Sequence, residues 1–174
     1  MLPKLLSRWL DLGRVEASKG IVLCFLAGFM VRLIPELLAY PYPVGFDTVY
    51  YASRMKSGII WNHWTQFFTS TWLLYAFIIP IYNFSHIDPF LILKIVTPVL
   101  YGLNVAGIYC FAKEVLGWNT TKSIMAGCFF SVQLASLRIS WDLLRNILGM
   151  AILLLALTLT TRISTKRGLA CFIL

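Results

Sequence analysis

Apolar residues in this chain come in runs of about 20, the length that carries an α-helix through the hydrocarbon core of a bilayer. Short charged or turn-forming stretches separate the runs. Four segments have this form in whole or in part, 20–40, 89–112, 123–138 and 146–161, and residues 168–174 begin another. The expected fold is therefore all-α. It is a polytopic membrane protein with about four transmembrane helices plus the start of a fifth, and a large external loop carrying interfacial helices. Composition agrees, since 59% hydrophobic and 13% charged residues with a mean hydropathy of +0.79 belong to the membrane class. The seven apolar residues at the carboxy end extend only about 10 Å as helix, which suggests the amino-terminal part of something longer or a truncated copy of it.

Residues 1–19 carry Lys4, Arg8, Arg14 and Lys19 and read as a cytoplasmic tail. Within it Leu2–Leu12 interleaves charges with leucines and Trp9, which suits either a short helix on the headgroups or a solvated tail. No small-residue cleavage site precedes Arg32 and Glu36, so the first span reads as a retained anchor. The net charge of +8 is scattered between apolar runs rather than gathered on one polar face. The implied partner is the lipid bilayer, not nucleic acid. Cys24, Cys110, Cys128 and Cys171 fall inside apolar runs without metal-ligand spacing, so neither a disulfide framework nor a zinc site is expected.

Charge also orders the spans. If 67–84 crossed the membrane, six basic residues would lie inside and seven outside; if it does not, nine lie inside and four outside. The positive-inside rule favours the second arrangement. Residues 40–84 hold 14 of the 26 aromatics, as expected of a segment lying at an interface. The expected order is a cytoplasmic amino terminus, span 20–40, external loop 41–88 with an interfacial helix at 67–84, and span 89–112. Then follow a cytoplasmic turn 113–122, span 123–138, external turn 139–145 and span 146–161, ending at the cytoplasmic Arg162–Arg167 cluster.

Chemistry concentrates at the outer ends of the spans. Asp47 follows Pro41-Tyr42-Pro43-Val44-Gly45-Phe46 at the water boundary, where partial desolvation or a nearby cation would tune a carboxylate for catalysis. The alternative is an N-cap accepting from the amides of Val49 or Tyr50, and the two roles can coexist. In a helix starting near Asp47, Tyr50, Tyr51 and Arg54 follow along roughly its face. Arg138, Asp142 and Arg145 have the i, i+4, i+7 spacing of one helix face. They form either an anion site with arginine forks or an ion pair closing a hairpin. Arg32 and Glu36, at i and i+4, pair with one another, with Pro35 bending or ending the helix between them. Lys94 is placed to snorkel to the external surface. His63, between Trp61 and Trp64, has no partner in sequence to complete a metal site, and His86 with Asp88 before Pro89 reads as the polar start of a helix.

Three of these features together are similar to a known family. The first span running through Arg32–Tyr51 into an acidic external loop, the aromatic Trp72-Leu73-Leu74-Tyr75 helix, and the Arg138–Asn146 turn with Gly149 after it resemble the amino-terminal module of the GT-C superfamily of polytopic glycosyltransferases. That superfamily includes oligosaccharyltransferase catalytic subunits, protein O-mannosyltransferases and lipid A aminoarabinose transferases. The resemblance implies transfer of a sugar from a polyprenyl-phosphate-linked donor to an acceptor at the external face. It maps catalytic acids onto Asp47 and Asp142, and suggests phosphate contacts at Arg138, Arg145 and Arg54. Members often have paired acids in these loops, whereas Asp47 stands between Phe46 and Thr48 and Asp142 has no acidic neighbour. A divalent cation stays open as a cofactor, with its ligands unknown. The alternative is a non-catalytic polytopic protein, an assembly subunit or degenerate fragment, in which the same charges pin helices together.

Overall fold

The computed structural model describes residues 2–42, 44–57 and 72–163, and among these the side chains of 17–161. The expectations for His63, for residues 67–71, and for the side chains of Lys4, Arg8, Arg14 and the Arg162–Arg167 cluster lie outside what is described, as do Cys171 and 168–174. The described residues form seven helices and no strand. They are α1 (Leu2–Leu38), α2 (Phe46–Ser57), α3 (Trp72–Ser85), α4 (Pro89–Glu114), α5 (Thr120–Val132), α6 (Leu134–Asp142) and α7 (Leu144–Ile163).

The helix α4 is the hub, packed against α1, α7 and α5 along its length and against α2 and α3 at its start. It is largely buried, whereas α1 and α7 leave rows of apolar side chains exposed, among them Val22, Met30, Leu153 and Leu155. An inside with little exposed surface and an outside of leucine and methionine is what hydrocarbon as a solvent permits. Without a water-driven hydrophobic effect between helices, close backbone approach must supply the packing. Gly28 of α1 and Gly102 of α4 provide it. A Cβ on Gly28 would fall 2.5 Å from Val105 Cγ2 and 3.2 Å from Gly102 Cα, and one on Gly102 would fall 2.8 Å from the Phe25 carbonyl oxygen.

Local sequence explains several helix ends. Asp88 caps α4 by accepting a hydrogen bond from Phe90 N–H at 2.9 Å, with Pro89 at the first helical position where its missing N–H costs nothing. Asp88 also pairs with Lys56 at 2.7 Å. These two contacts, the Lys56 hydrogen bond first, hold its carboxyl below the ordinary value of 3.8. Asn119 caps α5 by accepting from Lys122 N–H at 2.9 Å.

Other ends differ from the sequence reading. The expected tail and first span share one helix, α1, of 37 residues, whose part Ala17–Leu38 is long and apolar enough to cross a membrane. Pro35 does not end it; the helix runs three residues further, to Leu38. The segment 123–138 is not one straight span: α5 ends at Val132, Gln133 is extended, and α6 leaves at 58° to α5. Hydroxyl groups account for the break. Tyr101 of α4 places its hydroxyl 3.0 Å from the Ser131 carbonyl, and Ser136 donates to the Phe130 carbonyl at 2.7 Å. The carbonyls that a continuous helix would have bonded internally are thus satisfied from the side. The expected turn 139–145 shrinks to a single residue, Leu143, between α6 and α7.

The last turns of α1 lie beside the first turns of α4, since Lys94 Nζ donates to the Glu36 carbonyl at 2.8 Å. The chain between them therefore leaves and returns at one end of the bundle. Its 14-residue helix α3, about 21 Å long, does not reach the length of a span.

Candidate functional site

At that end of the bundle the first contact is between backbones. Gly45 has a φ of +99° and its Cα rests against the Trp141 carbonyl, a place that no side chain fits. Glycine alone tolerates both demands. This contact sets α2 against the end of α6, and the amide of Phe46 then donates to Asp142 Oδ1 at 3.0 Å. The second carboxylate oxygen of Asp142 pairs with Arg138 Nη2 at 3.0 Å. Asp142 thus supplies an acceptor to the first turn of α2 from 96 residues away, at a helix end whose partial positive charge favours a carboxylate.

Asp47 is the next residue along. It lies within the first turn of α2, half-buried, and has no hydrogen-bond or ion-pair partner among the described residues. The N-cap reading of Asp47 is therefore corrected, because the helix starts before it and its carboxylate accepts neither Val49 nor Tyr50. The two candidate acids are brought to one place, with one carboxylate engaged twice and the other unengaged.

The arginines take three different positions. Arg138 lies on α6 with 68% of its side chain exposed while it pairs with Asp142. Arg145 stands exposed in the first turn of α7, so the break at Leu143 separates it from the helix face that Arg138 and Asp142 share. Arg54 stacks its guanidinium over Tyr50, 4.7 Å from the ring centre. An aromatic ladder joins these groups. Tyr50 meets Tyr51 edge-on at 5.8 Å, and Tyr51 meets Tyr75 of α3 edge-on at 6.0 Å. The Tyr51 hydroxyl lies near the backbone amide of Arg145 at the start of α7. Burial, with the Asp47 charge second, pushes the Tyr51 phenol above its ordinary value. Burial does the same to Tyr75, whose hydroxyl finds no partner among the described residues.

Below this layer the expected Arg32–Glu36 pair is present at 2.7 Å, with Arg32 fully buried. The expectation for Lys94 is corrected. Instead of snorkelling outward it is buried and pairs with Glu36 Oε2 at 3.2 Å. Spacing pointed to the i, i+4 pair, but a partner 58 residues away left no local mark. Arg32 Nη2 also donates to the Ser140 carbonyl at 3.4 Å, tying α1 to the helix that carries Asp142.

No group of three or more His, Cys, Asp or Glu side chains among the described residues is arranged to hold a metal. Asp47 and Asp142 bring two carboxylates, one already committed, and do not by themselves make a divalent-cation site. The class that fold and site define is an all-helical, multi-pass membrane protein. Three of its helices are long and apolar enough to cross a bilayer, or four if α5 and α6 make one broken span. No family model matches the chain, and no curated protein or solved structure matches it either.

Proposed function

We propose that this chain is a GT-C-like membrane glycosyltransferase, or the amino-terminal part of one, that moves a sugar from a polyprenyl-phosphate-linked donor to an acceptor at the external face. The observation that carries the reading is the seating of the Asp142 carboxylate on the amide of Phe46, the residue before Asp47, with Arg138 paired to Asp142. In this scheme the unengaged Asp47 carboxylate removes the proton from the acceptor hydroxyl or amide as that atom attacks the sugar. The bond from sugar to lipid phosphate breaks, and the arginines stabilise the charge that develops on the phosphate. Asp142 holds α2 in place through Phe46, so it positions Asp47 rather than reacting.

Different outcomes follow for the two acids. With sugar transfer from a polyprenyl-phosphate-linked donor as the readout, Asp47→Asn is expected to slow the reaction at least about 100-fold, the lower end for a lost general base. Asp142→Asn keeps an oxygen for Phe46 N–H and loses a pair whose arginine is mostly exposed, worth about 0.5 kcal/mol. Its expected effect is within about tenfold, since 1.4 kcal/mol corresponds to a factor of ten. Transfer at the wild-type rate by the Asp47 variant would end this reading.

The double engagement of Asp142 also favours a second reading, a non-catalytic membrane protein in which these charges only fasten helices. In that case neither the wild type nor either variant transfers sugar, while Asp142→Ala still lowers thermal stability.

The proposed orientation places the amino terminus in the cytoplasm. Single cysteines at the exposed Ser57 and Ser85 should then react with an impermeant thiol reagent from outside, and one at the exposed Thr121 should not. Outside labelling at Thr121 reverses the assignment.

A further inference from the structure

The break between α5 and α6 leaves a recess of about 140 Å³. Its floor is Tyr101, Asn104 and Ile147, all buried, and its mouth is Gln133, Ala135 and Ile139, all exposed. Phe130 stacks on Tyr101 with 6.2 Å between ring centres and gives the recess a flat aromatic side. No charged residue lines it.

One polar atom of the floor residues lacks a partner. The amide nitrogen of Asn104 donates to the Leu100 and Ile147 carbonyls, each at 2.9 Å. A carbonyl accepts only from a donor, so these two bonds fix which way the amide is turned. Its Oδ1 is thereby kept as a buried acceptor, with no hydrogen bond among the described residues. The Tyr101 and Ser136 hydroxyls do not supply one, being engaged with the Ser131 and Phe130 carbonyls at the end of α5. Gln133 is exposed at the mouth and is left to solvent.

These features narrow the ligand by its chemistry. A hydrocarbon would leave Oδ1 unpaired. An ion would meet no counter-charge, and a sugar would bring more hydroxyls than the recess has polar partners. A water would need about two to four polar partners and would face carbon on most sides. What remains is an apolar body with a single hydrogen-bond donor. The volume sets its size, because apolar cavities of about 150 Å³ take up benzene, and the aromatic side favours a ring.

We propose that the recess binds a phenol-sized aromatic alcohol, its ring against Tyr101 and Phe130 and its hydroxyl donating to Asn104 Oδ1. This goes beyond the glycosyltransferase reading and does not depend on it. The Tyr101 that receives the ring also holds the kink through Ser131, so occupancy favours the bent arrangement of α5 and α6.

The test is a titration of the full chain in detergent micelles with para-fluorophenol and, separately, with fluorobenzene, followed by fluorine NMR and corrected with empty micelles. The phenol is expected to bind saturably, and fluorobenzene about three- to tenfold more weakly, the range for one net hydrogen bond. Ala135→Trp fills the mouth from an exposed position and should abolish saturable binding of both probes. In Asn104→Leu the two probes should bind alike; should that variant fail to fold, the wild-type ratio still decides. Equal affinities in the wild type, an absence of saturation, or saturable binding unchanged by Ala135→Trp would overturn the proposal.

Discussion

Replacing Gly45 by alanine is expected to cost about 3–5 kcal/mol and to detach α2 from α6. Two physical demands meet at this residue. A φ of +99° is a conformation in which a Cβ collides with its own backbone, costing about 1–2 kcal/mol for an L-residue. The added carbon would also press on the Trp141 carbonyl, which belongs to the backbone and has no rotamer to escape into. The only relief is movement of the α2 start away from α6, which breaks the hydrogen bond from Phe46 N–H to Asp142 Oδ1. A bond to a charged acceptor is worth roughly 1.5–3 kcal/mol. For a chain of this size the sum corresponds to a fall of roughly 6–20 °C in Tm, at 2–4 °C per kcal/mol. Thermal unfolding in detergent would register it, and under the proposed function sugar transfer should fall as well, since Asp47 moves with α2. Gly149→Ala is the control: a Cβ there meets nothing within 4 Å and should leave stability unchanged or slightly raised. An unchanged Tm for the Gly45 variant would mean that this contact does not hold α2.

What the sequence made legible depends on the range of the forces involved. Apolar runs of membrane length located α4 and α7 to within two residues, because burial in lipid is decided segment by segment. The start of α4 was legible at Asp88-Pro89 because capping acts over two or three residues. The kink at Gln133 was not. Hydropathy treats 123–138 as one apolar stretch, while the kink arises from a hydrogen bond between Tyr101 and Ser131, 30 residues apart. Likewise the capping rule gave Asp47 a local role that Asp142 takes from across the fold, because an amide at a helix start donates to any carboxylate that tertiary packing delivers. Lys94 was read outward because a lone lysine near a helix end normally seeks water, and only the fold places Glu36 beside it.

That buried trio gives the other large effect expected. Arg32, Glu36 and Lys94 have side chains 0%, 3% and 8% exposed, so two cations share one carboxylate at membrane depth. Each Glu36 oxygen faces one cation, Oε1 at 2.7 Å from Arg32 and Oε2 at 3.2 Å from Lys94. In Glu36→Gln the amide can offer an oxygen to one cation and must turn N–H groups toward the other. Two positive charges then remain with no buried counter-charge. Breaking a buried ion network from one side costs about 3–5 kcal/mol, and the absence of water around α1 and α4 keeps the charges unscreened. The expected result is a loss of thermal stability comparable to that of the Gly45 variant, with a wider reach, because Arg32 also holds the Ser140 carbonyl of α6. Removing all three charges together should do less harm. Arg32→Met, Glu36→Met and Lys94→Met in one chain leave no unpaired ion, and apolar replacement of a whole buried ion cluster is often neutral or stabilising. Thermal unfolding of the single and triple variants, side by side in the same detergent, separates the two effects. A triple variant less stable than Glu36→Gln would show that the trio stabilises the bundle beyond the cost of its own burial, and that the danger does not lie in the unpaired cations alone.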